Sequence, residues 1–134
     1  MKKKKNRIIG VDFDGTLATI TRPYPEIGEP IQEVIDYVKK EQSEGAYLIL
    51  ITIREGLALE GALMWCEDHG LKFNAVNDNL PHMKDFFKNN PRKIFCNEYL
   101  DDNNFGGIDY ILQEIRKKEL IWSFVLGLYV GEVI

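Results

Sequence analysis

A chain of 134 residues that is 45% apolar and 28% charged has the length and composition of one ordinary globular domain. That excludes a fibrous or wholly disordered protein, and a net charge of −4 gives no support to nucleic-acid binding as a global property. Cys66 and Cys96 sit singly inside apolar segments, so packed, reduced thiols in a cytoplasmic protein are expected rather than a disulfide framework.

The basic run Lys2 to Lys5 reads as a solvated, disordered start over residues 1–6. The apolar stretch behind it ends at Asp12, too soon for a signal peptide. Ile8 to Val11 is a short strand that runs into Asp12-Phe13-Asp14-Gly15-Thr16, where aspartate and glycine favour a turn. Leu17 to Pro30 contains Pro23, Pro25, Gly28 and Pro30, and is a loop or small flap. Ile31, Val34, Ile35 and Val38 then recur at helical spacing up to a stop at Gly45. Tyr47 to Ile51 is continuously apolar, the pattern of a strand buried on both faces, and ends at Thr52.

Glu55 to His69 reads as a helix closed by Gly70, Phe73 to Val76 as a third strand running into Asn77, and Pro81 to Lys88 as a short helix. Ile94 to Leu100 is expected as a fourth strand ending at Asp101-Asp102, followed by a helix over Ile108 to Glu119. Leu120 to Ile134 is very apolar, but it is shorter than the ~20 residues of a membrane span and carries Gly127, Gly131 and Glu132. A packed C-terminal element is expected there, with a subunit contact, and hence a homo-oligomer, as the second reading. No repeat or linker divides the chain, so residues 1–134 read as one domain.

Strands alternating with helices predict an α/β fold, a three-layer, Rossmann-like, doubly wound sheet that is mainly parallel. All strand carboxyl ends of such a sheet lie on one edge, which would bring Asp12, Thr52, Asn77 and Asp101 together. Two bare carboxylates about 4 Å apart repel by about 4 kcal/mol at an effective dielectric near 20. A hard cation such as Mg²⁺, which takes oxygen ligands, is therefore expected among them.

Asp-x-Asp-Gly-Thr after an apolar strand resembles the first motif of the haloacid dehalogenase-like (HAD) hydrolases. The resemblance implies that Asp12 is a nucleophile and Asp14 a general acid/base. Thr52, closing an apolar strand, matches the second motif, a hydroxyl that bonds a phosphoryl oxygen. Asp101 and Asp102 match the fourth, and with Asp12 and the backbone carbonyl of Asp14 they would hold Mg²⁺. For the third motif, a lysine, Lys84 early in its helix is favoured. Lys93 is the alternative, although seven strand residues at ~3.3 Å each would put it roughly 23 Å from Asp101. Arg54 and Asn77 are candidate phosphate or substrate contacts. His69 and His82 lack a ligand partner at recognisable spacing and read as structural.

The implied activity is Mg²⁺-dependent hydrolysis of a phosphomonoester through an aspartyl-phosphate, with Asp14 and Thr16 favouring a phosphatase over a dehalogenase. The connections are too short to hold a cap domain, so the site should be open and its phosphorylated substrate is of unassigned class. Two other readings predict no turnover. One is a metal-binding or regulatory module; the other is a receiver-like protein phosphorylated on aspartate by a partner.

Overall fold

Ile8–Val11 (β1) is apolar apart from its one glycine and buried at all four positions, so both faces of this strand must be covered. The computed structural model describes residues 7–125, without the side chain of Trp122; the basic run at 2–5 and the apolar residues 126–134 lie outside the described residues. After β1 come α1 (Gln32–Ser43), β2 (Tyr47–Leu50), α2 (Gly56–Asp68), β3 (Ala75–Val76), α3 (Pro81–Phe87), β4 (Glu98–Leu100) and α4 (Gly107–Val125). The protein is α/β, with every strand pair parallel and the order β3-β2-β1-β4.

Strand alternation sorts the core into two layers. Ile9, Val11, Leu48 and Leu50 pack with Val34 and Ile35 of α1, Ala62 and Cys66 of α2, and Ile111 and Ile115 of α4. Ile8 and Ile49 point the other way, onto Leu80 at the start of α3 and onto Cys96. Gly10 also faces this thinner layer: a Cβ there would meet Cys96 Sγ and Ile51 Cδ1, each at 2.6 Å. Only a glycine lets this side close down on β1.

From β1 the chain steps outward to β2 and β3, then returns across the sheet to lay β4 on the other side of β1. That reversal opens a crevice at the carboxyl ends of β1 and β4, the usual ligand position in an open parallel sheet. Register completes the placement: Val11 pairs with both Leu50 and Leu100, and the Asp12 N–H donates to Leu100 O at 2.8 Å. The residues that follow these three partners therefore stand side by side.

Three elements differ from the sequence-based expectation. β4 begins at Glu98, not Ile94, because the preceding residues bend over Tyr99. The Tyr99 hydroxyl accepts from Cys96 N–H at 3.1 Å and donates to Ile94 O at 2.6 Å, while Phe95 N–H donates to the buried Asn79 side chain. β3 is shortened to two residues, since the Asn74 carboxamide oxygen takes the Leu48 N–H that a strand carbonyl would otherwise accept. α4 continues to Val125, past the expected end at Glu119, and its Leu120, Ile121, Phe124 and Val125 are exposed; the rest of the C-terminal element expected over 120–134 lies outside the described residues. No domain is inserted between these elements, and no helix of the described residues is long and apolar enough to cross a membrane.

Candidate functional site

Asp12, Asp101 and Asp102 each present a carboxylate oxygen such that the three lie within 4.8 Å of one another. Their loops are locked together by Thr16, which is fully buried. Its hydroxyl donates to Asp102 Oδ1 at 3.2 Å and accepts the Asp102 N–H at 2.9 Å, so the turn after β1 is bolted to the turn after β4. Gly15 is the contact point of the two turns. It has φ of +88°, and a Cβ would fall 2.2 Å from Asp102 Oδ2. Phe13 N–H holds Asp12 Oδ1 at 2.8 Å and Asn103 N–H holds Asp101 Oδ1 at 2.8 Å, which fixes the rotation of both carboxylates.

Burial, then the charge of Asp101, then the Asp102 carboxyl push Asp12 up to about 8 from its ordinary carboxylate value, against the lowering effect of the Phe13 N–H. No lysine or arginine among the described residues forms an ion pair with any of the three. Converging hard oxygen donors that no cation among the described residues neutralises fit a divalent ion such as Mg²⁺. The cavity against Asp12 and Asp101 is small, about 80 Å³, and Gly10, Ile51, Tyr99 and Asn104 also line it. A larger one, about 460 Å³, lies between β4 and α4 and contains none of the three acids. The acid cluster is a shallow, part-buried crevice rather than a deep pocket.

Asp14 is turned away from this cluster. Arg54 Nε and Nη2 hold its two carboxylate oxygens at 2.7 and 2.8 Å in a fork. Arg54 was expected to contact phosphate, but it is buried to 1% exposure and committed elsewhere. Nη1 donates to Pro25 O at 2.9 Å and Ala58 O at 3.3 Å, and Nη2 also reaches Glu26 O at 3.4 Å. A guanidinium has five N–H donors, and these five bonds use them all. Its Cζ lies over the Phe13 and Tyr24 rings, 5.0 and 5.1 Å from their centres.

Thr52 lies at the end of β2, as expected. Its hydroxyl oxygen accepts Arg54 N–H at 3.1 Å, which leaves the hydroxyl hydrogen for a ligand. Asn77, expected as a substrate contact, instead clamps Thr52: its side chain accepts Thr52 N–H and donates to Thr52 O, both at 2.8 Å, from a left-handed residue with φ of 51°. Lys84 pairs with Asp78 at 2.8 Å rather than with any of the three clustered aspartates. Residues 94–97 are not strand, so Lys93 is not held a full strand length from Asp101, and its Nζ lies 5.8 Å from the Tyr99 ring centre. His69 bonds Trp65 O through Nδ1 at 2.8 Å, and His82 packs on Tyr47.

Sequence reasoning missed the linking role of Thr16 and the junction made by Arg54. The available signals were the threonine after Asp-Gly and an arginine two residues past a strand end, and neither pattern states which partner the side chain takes.

The fold and site define a class: a parallel α/β domain with a carboxylate cluster at the point where the strand order reverses. No family model and no curated protein matches the chain. Among solved structures it is similar to a conserved protein coded by a locus from Bacteroides thetaiotaomicron, with 38% sequence identity, a TM-score of 0.66, and coverage of 83% of this chain and 90% of that one. At that identity and coverage, the chain belongs to the same family as the Bacteroides protein.

Proposed function

We propose that the protein is a capless HAD-like phosphatase that hydrolyses phosphomonoesters through an aspartyl-phosphate on Asp12, with Asp12, Asp101 and Asp102 as side-chain ligands and the Asp14 carbonyl as backbone ligand of Mg²⁺. The observation that carries this reading is the convergence of the three carboxylates within 4.8 Å at the strand-order reversal. When bound, Mg²⁺ would offset the negative charge of the acids and of the incoming phosphate.

An Asp12 oxygen would attack phosphorus as the bond from phosphorus to the leaving oxygen breaks, and Asp14, having first taken a proton from solvent on a lone pair outside the Arg54 fork, would give that oxygen the proton. Asp14 would next take a proton from water as the water oxygen attacks phosphorus. The bond to Asp12 then breaks, giving inorganic phosphate and the free carboxylate. Thr52 would donate its hydroxyl hydrogen to a non-bridging oxygen, where charge spreads in the transition state. Lys84, which spends one of its three N–H donors on Asp78, would offer another to the phosphate.

Phosphate release from p-nitrophenyl phosphate with Mg²⁺, abolished in Asp12→Asn, is the expected result; a wild-type protein with no Mg²⁺-dependent release would end the proposal. The engagement of Lys84 by Asp78 favours a second reading, a metal-binding or receiver-like module without turnover. It predicts either Mg²⁺ binding alone or a phospho-aspartate stable enough to isolate. In either case we place the protein in the cytoplasm, acting on a phosphorylated ligand and not on nucleic acid as a bulk polyanion, with self-association through residues 120–125 as the quaternary option.

A further inference from the structure

We propose that Arg54 is a positioning residue that fixes Asp14 for its proton transfers and ties the 24–26 turn to it. This inference rests on the phosphatase reading above. A buried arginine needs its charge paired and all its donors satisfied, and Arg54 achieves both by joining three segments: Asp14 after β1, the carbonyls of Pro25 and Glu26 in the flap, and Ala58 O in the first turn of α2. Both Asp14 oxygens are held at once, so its carboxylate cannot rotate without breaking the fork. The planes of Phe13 and Tyr24 confine the guanidinium itself. Tyr24 belongs to the flap and Phe13 to the turn between the two aspartates, so a shift of the flap is transmitted to Asp14 through one rigid group.

Arg54 does not touch substrate in this arrangement, so its effect must act through Asp14, and that gives it a distinct kinetic signature. Asp14 supplies a proton to the leaving oxygen. Phenol, which ordinarily loses its proton near pH 10, needs that help far more than p-nitrophenol does. Arg54→Ala and Arg54→Lys should therefore lower kcat by about a hundredfold on phenyl phosphate. On p-nitrophenyl phosphate the loss should be under about tenfold, with KM little changed on either substrate. Asp14→Asn should show the same bias, and adding Arg54→Ala to it should cause no further loss, because both remove one function.

A readout independent of turnover covers the case of an inert or poorly folding variant. The Glu26 N–H, bonded to Pro23 O at 2.9 Å, should exchange with deuterium faster in Asp14→Asn, in Arg54→Lys and in the milder Tyr24→Ala. Equal losses on the two substrates, or multiplicative losses in the double variant, would overturn the inference while leaving the phosphatase reading intact. Wild-type inertness with exchange still coupled between Asp14 and Glu26 would leave the junction standing and remove the phosphatase. Exchange at Glu26 that ignores Asp14→Asn would remove the junction.

Discussion

Replacing Asp12 by asparagine should stabilise the ion-free protein at alkaline pH while abolishing its proposed chemistry. Asp12 is pushed up to about 8, mainly by burial and by the charge of Asp101, from an ordinary 3.8. The folded state thus holds this proton more tightly than the unfolded state does. The associated stability is fully present below about pH 4 and is lost as pH rises through 8. At ~1.4 kcal/mol per unit the whole shift would amount to roughly 6 kcal/mol, and the partial exposure of Asp12 screens this to about 2–3 kcal/mol. Asparagine has nearly the same shape and cannot ionise, so it avoids the loss. Urea unfolding followed by circular dichroism in EDTA, at pH 5 and pH 9, should show the variant gaining on the wild type by about 2 kcal/mol between the two. Mg²⁺ at a hundred times its Kd should return about 2.7 kcal/mol to the wild type, by mass action, and much less to the variant. A gap that stays constant with pH, or that grows in favour of the wild type, would refute the electrostatic account of the site.

Because bound Mg²⁺ requires an ionised Asp12, its affinity measured by calorimetry should rise about tenfold per pH unit up to the value of about 8 and level off above it. Gly15→Ala should cost about 1–3 kcal/mol in thermal unfolding and abolish Mg²⁺ heat, since the new methyl meets the Asp102 carboxylate from a left-handed backbone. Burial pushes the thiols of Cys66 and Cys96 up to about 12 and 11, so a thiolate-directed reagent at pH 8 should label neither until urea unfolds the protein.

The parts of this molecule written as local pattern could be read from the chain. β1 and β2 are apolar at both alternating sets of positions, which is what burial on two faces requires, and α1 repeats Val34, Ile35 and Val38 at 3.6-residue spacing. Those elements, their order and the parallel sheet were legible, and so was the meeting of Asp12 with Asp101, which follows from a parallel register. Elements fixed by side chains acting on distant backbone were not legible. Asn74, Asn79 and Tyr99 each replace a strand hydrogen bond with a side-chain one, and this shortens β3 and β4 without disturbing the apolar pattern. The site divides in the same way: the carboxylates were visible as a motif, whereas the Asn77 clamp on Thr52 and the fork on Asp14 depend on partners 25 and 40 residues away.

Why Asp14 and its three neighbours are handled so differently follows from where the cations are. All four acids lie around the ends of β1 and β4, yet among the described residues only one of them, Asp14, pairs with a protein cation. Arg54 neutralises Asp14 from inside the domain, with every donor used and almost no surface left to solvent. Asp12, Asp101 and Asp102 are left to repel one another, and Asp12 shows the cost in its displaced titration. A merely solvated acidic turn would gain nothing from a bolt such as Thr16, which holds Asp102 beside the Gly15 backbone against that repulsion. Keeping like charges together at a cost in stability makes sense where an external cation is to complete the site, and pairing the remaining acid internally keeps it from becoming a competing ligand. On the proposed phosphatase reading the arginine and a bound cation would be complementary parts of one electrostatic plan: the first would set Asp14 apart for proton transfer, and the second would gather the other three around the phosphate.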